Sequence, residues 1–151
     1  RLGMVVDLAH SSDAAFFDAI ELSRDPVVFS HGAVYAQCPH WRGLTDEQLE
    51  ALAENGGVIG MAFVPFFIDR TEPTMDRLMD SIEYVIDLIG PEHIGLGADY
   101  DGISEEWTPI PARVELLPTL TEALVQRGFD DETILKILGG NFLRVLREVV
   151  G

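Results

Sequence analysis

Three short polar clusters in this sequence carry residue types that hold metals and move protons: Asp7-Leu8-Ala9-His10, Ser30-His31 and Ala98-Asp99-Tyr100-Asp101-Gly102. Two histidines and a carboxylate are the inventory of a metal-assisted hydrolase. Neutral imidazole is a good zinc ligand. A carboxylate either ligates the metal or moves a proton on or off water held there. His10 and His31 are therefore candidate metal ligands, and Asp99 is the candidate catalytic carboxylate. Asp101 is near enough to share the site, although Asp101-Gly102 also reads as a turn. Asp7, three residues before His10, suits a group that orients a ligand from behind. His40 falls in a loop, where it either lines the site or is solvated. His93 begins a strand at the end away from the chemistry and reads as structural. Cys38 lies near His40 with no base fixed beside it, and reads as a buried thiol.

Strands and helices must bring those clusters together. Met4 to Ala9, Val27 to Ser30, Val58 to Val64 and His93 to Ala98 read as four buried strands: short, apolar runs without strict alternation. Ser11-Ser12-Asp13 supplies a helix N-cap, and Thr45-Asp46-Glu47-Gln48 is a capping box. Asn55-Gly56-Gly57 reads as a left-handed helix stop. Thr74 to Ile89 has the cleanest helical period, with Met75, Leu78, Met79, Ile82, Ile86 and Ile89 on one stripe. Residues 31 to 43 and Pro65 to Pro73 read as loops. A loop containing Trp107 leads to helical regions from Ala112 to Arg127 and from Asp131 to Val150, the latter interrupted at Gly139-Gly140.

Apolar strands alternating with helices imply a parallel sheet covered by helices. The choice lies between an open doubly wound sheet and part of an eight-fold barrel. Neither G-x-G-x-x-G after the first strand nor G-x-x-x-x-G-K-[ST] occurs, so the nucleotide signals of an open sheet are missing. Polar residues close three of the four strands, and in a parallel barrel those ends converge on the face that holds the active site.

The chain has 151 residues, 47% of them apolar and 24% charged, which is ordinary globular composition. Ten basic against 26 acidic residues give a net charge of −16, a surface that repels phosphate backbones and anionic lipid. Nucleic acid is therefore not an expected partner. No run of about 18 apolar residues is present to span a membrane. One cysteine excludes an internal disulfide.

The ordered set Asp7-Leu8-Ala9-His10, Pro26 to His31, Cys38 with Arg42, Leu44 to Gln48, Gly57-Val58-Ile59-Gly60, Gly95 to Gly102 and Gly140 to Val145 resembles the renal, or membrane, dipeptidase family of zinc peptidases. The separation of 21 between His10 and His31 fits as well. That family belongs to the amidohydrolase superfamily, and the match covers only the second half of a member. The resemblance implies an α/β fold, the C-terminal half of a TIM-like (β/α)8 barrel with four parallel strands alternating with helices. Residues 1–151 would be one domain, with the N-terminal half absent. The resemblance further implies two zinc ions and a bridging hydroxide in a complete site. His10 and His31 would ligate one zinc. Asp99 would handle the proton of the attacking water and touch the substrate, and Arg42 would pair with the terminal carboxylate of a dipeptide. The family's first-strand His-x-Asp pair, its metal-bridging glutamate and a further substrate-contacting histidine are absent from this sequence. The chain alone is therefore expected to be inactive, and to be a homo-oligomer or to need its N-terminal half. Another amidohydrolase, such as a deaminase or lactone hydrolase, and a non-catalytic half-barrel that associates with itself are the alternatives. No lipid-anchor tail follows Val150-Gly151, so a cytoplasmic location is expected.

Overall fold

The computed structural model describes residues 3–104 and 108–151. Arg1 and Trp107 lie outside them. The chain forms α1 (Asp13–Leu22), β1 (Val28–Val34), β2 (Gly43–Leu44), α2 (Asp46–Glu54), β3 (Val58–Met61), α3 (Pro65–Ile68), α4 (Met75–Ile89), β4 (Ile94–Leu96), α5 (Leu117–Gln126), α6 (Asp131–Leu135) and α7 (Asn141–Val150). Four strands pair in the order β2-β1-β3-β4, every pair parallel. The fold class is therefore α/β with helices between parallel strands.

Local chemistry sets the element boundaries. Ser12 caps α1 by accepting from the Ala15 amide, Thr74 caps α4 by accepting from Arg77, and both bonds of the Thr45–Gln48 capping box form at α2. Gly56 takes the positive φ that ends α2, and Gly90 the one that ends α4. The apolar stripe of α4 buries Leu78, Met79, Ile82 and Val85, while Met75, Ile86 and Ile89 pack at its margin. That face meets β1 and β4 of the sheet, and Ile59, Ile94, and Leu49 and Leu52 of α2 share the same core. Each such side chain contributes roughly 1.5–3 kcal/mol on full burial.

Three expectations from sequence need correction. Met4 to Ala9 is not a full strand. Only an isolated parallel bridge joins Asp7 to Val28, fastened by Leu8 N to Val28 O and Val28 N to Val6 O. Met4 and Val6 are solvent-exposed, so this edge segment has one buried face rather than two. The count of four is restored by β2, which begins at Gly43, the last residue of the segment read as a loop. Second, β1 does not stop at Ser30. It runs on to Val34, and its pairing with β3 shifts register between Phe29 and Gly32. His31 thus sits in an irregular stretch within the strand, the kind of break that re-aims side chains beside active sites. Third, Pro65 opens a one-turn helix, α3, in the segment read as a loop.

Two glycines hold the strands close around the site. A Cβ at Gly60 or at Gly97 would collide with the Ser30 carbonyl oxygen. Their bareness lets β3 and the segment after β4 close in on the residue that precedes His31.

Candidate metal and substrate site

The residues read from sequence as metal ligands come together. His10 Nε2 and His31 Nε2 lie 2.9 Å apart, with ring centroids separated by 5.0 Å. Two ring nitrogens on one zinc at the tetrahedral angle would stand about 3.3 Å apart. The observed pair is within a few tenths of an ångström of that spacing. The same spacing suits a ring N–H donating to the facing ring nitrogen, and a shared cation would take both lone pairs in place of that proton. The donors present therefore fit a metal, though among the described residues no group of three His, Cys, Asp or Glu is placed to hold one.

The orientation of His31 has a visible cause. Its Nδ1 lies 2.9 Å from the Ser30 hydroxyl. Asp7 Oδ1 accepts from the amides of Ala9 and Ser30, each at 3.0 Å, and the Ser30 side chain adjoins the same carboxylate. A hydroxyl that donates to Asp7 accepts from Nδ1–H, which leaves the lone pair on His31 Nε2, toward His10. Burial acts to raise the pKa of Asp7. The bonds from Ser30 and Ala9, with the nearby His31, outweigh it and hold the carboxyl below its ordinary value. Asp7 thus acts through Ser30, a residue that sequence reasoning missed although it adjoins His31.

His10 and Asp99 share an unusual backbone state. They are the two non-glycine residues with positive φ, 69° and 58°, among the described residues. Such conformations cost free energy and recur where side-chain placement matters. Partial desolvation first, then the charge of Arg42, keeps the His10 imidazole below its ordinary pKa against the pull of Asp99 and Asp7. Behind Asp99, Gly102 leaves room for the carboxylate, since a Cβ there would strike Oδ1.

Arg42 is 4% exposed, so its guanidinium is a buried cation. One nitrogen, Nη2, donates to the His31 carbonyl at 3.1 Å. No carboxylate forms an ion pair with it among the described residues. Burial lowers its pKa, while Asp99 and Asp7 act from a distance to raise it. A buried guanidinium with no carboxylate partner among the described residues suits a ligand anion.

A cavity of about 320 Å³ joins His10, Arg42 and Asp99 to an aromatic side made by His40, Trp41, Phe66 and Phe67. His40 therefore lines the site. Asp101 does not; it borders a separate hollow with Tyr100, Arg113 and Glu115. His93 Nδ1 meets the Gly57 carbonyl at 2.9 Å, the structural role expected of it. Cys38 is buried and points its thiol at the Phe66 carbonyl, as expected of a packed thiol.

The sequence model of the membrane dipeptidase family, peptidase family M19, matches residues 1–150. The chain belongs to the membrane dipeptidase family. Dipeptidase tcpJ of Claviceps purpurea is 40% identical over 151 residues, which are 99% of this chain and 35% of that protein. A metallopeptidase from Rhodobacter sphaeroides, solved with a phosphinate mimic of the dipeptide L-Ala-D-Ala, superposes with a TM-score of 0.86 at 28% identity, covering 97% of this chain and 43% of that one. The M19 metallopeptidase called dipeptidase AC superposes with a TM-score of 0.87 at 29% identity, covering 99% and 44%. The chain thus spans about a third of the curated relatives and less than half of these solved dipeptidases, whose fold is TIM-barrel-like. Membership in a metallopeptidase family implies a metal cofactor, in agreement with the facing histidines. Among the described residues no helix is long and apolar enough to cross a membrane.

Proposed function

We propose that residues 1–151 form one domain, the C-terminal half of a metal-dependent dipeptidase barrel, and carry half of its active site. The observation that carries the reading is the pair of ring nitrogens 2.9 Å apart, beside a buried arginine that has no carboxylate partner among the described residues. His10 and His31 would hold one zinc through Nε2, zinc being the metal that best suits neutral imidazole in a hydrolase. A complete site would contain two zinc ions, with the remaining ligands supplied by polypeptide beyond this chain. When bound, the metal polarises the scissile carbonyl and makes water a stronger acid.

The chain's own residues do the rest. Arg42 holds the C-terminal carboxylate of the substrate in its guanidinium fork, which fixes the distance from the chain end to the bond that breaks. That contact selects dipeptides over longer chains. Asp99 accepts the proton of the attacking water and delivers it to the leaving amine. Asp7 and Ser30 keep His31 in the tautomer whose lone pair faces the metal position.

A chimaera tests this reading. Residues 1–151 replace the matched segment of dipeptidase tcpJ, and the zinc-loaded product is assayed on a dipeptide and on its C-terminal amide. The dipeptide should be cleaved and the amide spared, while the 151-residue chain alone should cleave neither. A preference for lactones or cyclic amides over dipeptides would overturn the assignment in favour of another amidohydrolase activity.

A further inference from the structure

We infer that the aromatic wall beside Arg42 is a side-chain subsite, so that the site takes dipeptides whose C-terminal residue is aromatic or large and apolar. The inference rests on Arg42 as the holder of the substrate carboxylate. The cavity has two unlike sides: His10, Arg42 and Asp99 are polar, whereas Trp41, Phe66, Phe67 and Ile103 with His40 form the other side. The His40 ring lies 4.7 Å from Phe67, 5.6 Å from Phe66 and 5.3 Å from Trp41, and Phe66 meets Phe67 edge-on at 4.7 Å. These are the spacings of a packed aromatic cluster. Desolvation, then the charges of Arg70 and Arg42, holds His40 below its ordinary pKa, which favours an uncharged ring in that wall.

Trp41 is the unusual member. Its side chain is 79% exposed, yet its ring centroid is only 5.6 Å from the Arg42 guanidinium carbon. A carboxylate on Arg42 sits about 2.8 Å from the guanidinium nitrogens. Its α-carbon is one bond further out, so the attached side chain starts within reach of the indole. A phenyl ring there would cover apolar surface that is otherwise open to water. A methyl group would cover little of it. The cavity of about 320 Å³ is the share of the site that this chain supplies.

Competition by N-acetylphenylalanine, N-acetylalanine and N-acetylphenylalaninamide against dipeptide cleavage by the zinc-loaded tcpJ chimaera tests the subsite. The phenylalanine acid should bind at least ~10-fold more tightly than the alanine acid, a ratio set by the extra buried ring. In Trp41→Ala the ratio should fall to about 2-fold, and Trp41→Phe should keep most of it. Trp41 is exposed, so neither substitution removes core packing. Equal binding of the two acids, both tighter than the amide, would overturn the aromatic subsite and leave the Arg42 assignment standing. Equal binding of acid and amide would remove the Arg42 assignment, and the subsite with it. Binding by none of the three would overturn both.

Discussion

The two ends of the parallel sheet use polar side chains in opposite ways. At the end where the strands begin, polar groups are spent on the backbone. Asn141 is 3% exposed and donates to the carbonyls of Pro91 and Ile94, both at 2.7 Å. Arg144 reaches the carbonyls of Gly56 and Glu92, Asn55 accepts from the Val27 amide, and His93 meets Gly57. At the end where the strands finish, polar groups face each other or the cavity. His10 faces His31, and Arg42, although buried, has no carboxylate partner among the described residues. Buried polar groups are normally satisfied within the protein. One end obeys that rule and is built for stability. The other leaves hydrogen-bonding and ligating capacity unused, with two residues in costly backbone states, as a site that waits for a ligand does.

That contrast predicts which substitutions harm activity and which harm the fold. The largest separation is expected at Asp99. Asn also tolerates a positive φ, so Asp99→Asn should fold normally, while turnover in the tcpJ chimaera falls about 10²–10⁴-fold for want of a proton acceptor. Steady-state kinetics beside a thermal melt checks both halves. Asn141→Ala should do the reverse. It leaves two buried carbonyls unpaired and should cost about 2–4 kcal/mol in urea unfolding, with metal affinity intact. A smaller effect is expected at Ser30, whose loss frees the His31 tautomer. Ser30→Ala should weaken zinc about 10-fold in chelator competition, and Ser30→Thr should restore it.

The smallest effect sharpens the contrast by an exception. Asp69, in the loop after α3, spends its carboxylate on the amides of Glu72 and Thr71 and the Thr71 hydroxyl, which bring its pKa to about 2. A carboxyl depressed on folding stabilises the fold above its unfolded value near 3.8 and loses that contribution as pH falls toward about 2. Asp69→Asn should therefore lower stability slightly at neutral pH and flatten the curve between about 3.8 and 2, so that the variant and the parent converge at the acid end.

Much of this was legible in the sequence, for physical reasons that also mark where legibility stops. Capping chemistry is local, so Ser12 and Thr45 with Gln48 announced their helices correctly. The period of α4 is local too, apart from Val85, which the stripe omitted. Strand limits depend on neighbours. Met4 to Ala9 looks like a strand but pairs only at Asp7, and β1 continues past His31 because β2 and β3 flank it. The candidate ligand pair was legible as polar residues at strand ends and the role of Arg42 came from the family resemblance; the structure brings them into one region. The aromatic wall did not follow, because Trp41 and Phe66-Phe67 meet only through the fold, each in a segment read as featureless loop. Ser30 next to His31 was in plain view; its use became visible only with Asp7 beneath it.

The measurement that tests the central claim most directly is zinc affinity of the protein and of two histidine variants, one from each end of the sheet. His31→Ala should weaken zinc at least ~100-fold by removing a ligand. His93→Ala should leave zinc affinity unchanged and cost about 1 kcal/mol of stability through the lost bond to Gly57. Equal zinc affinity in the two variants, or a greater loss at His93, would contradict the assignment of the metal position to the strand-finishing end.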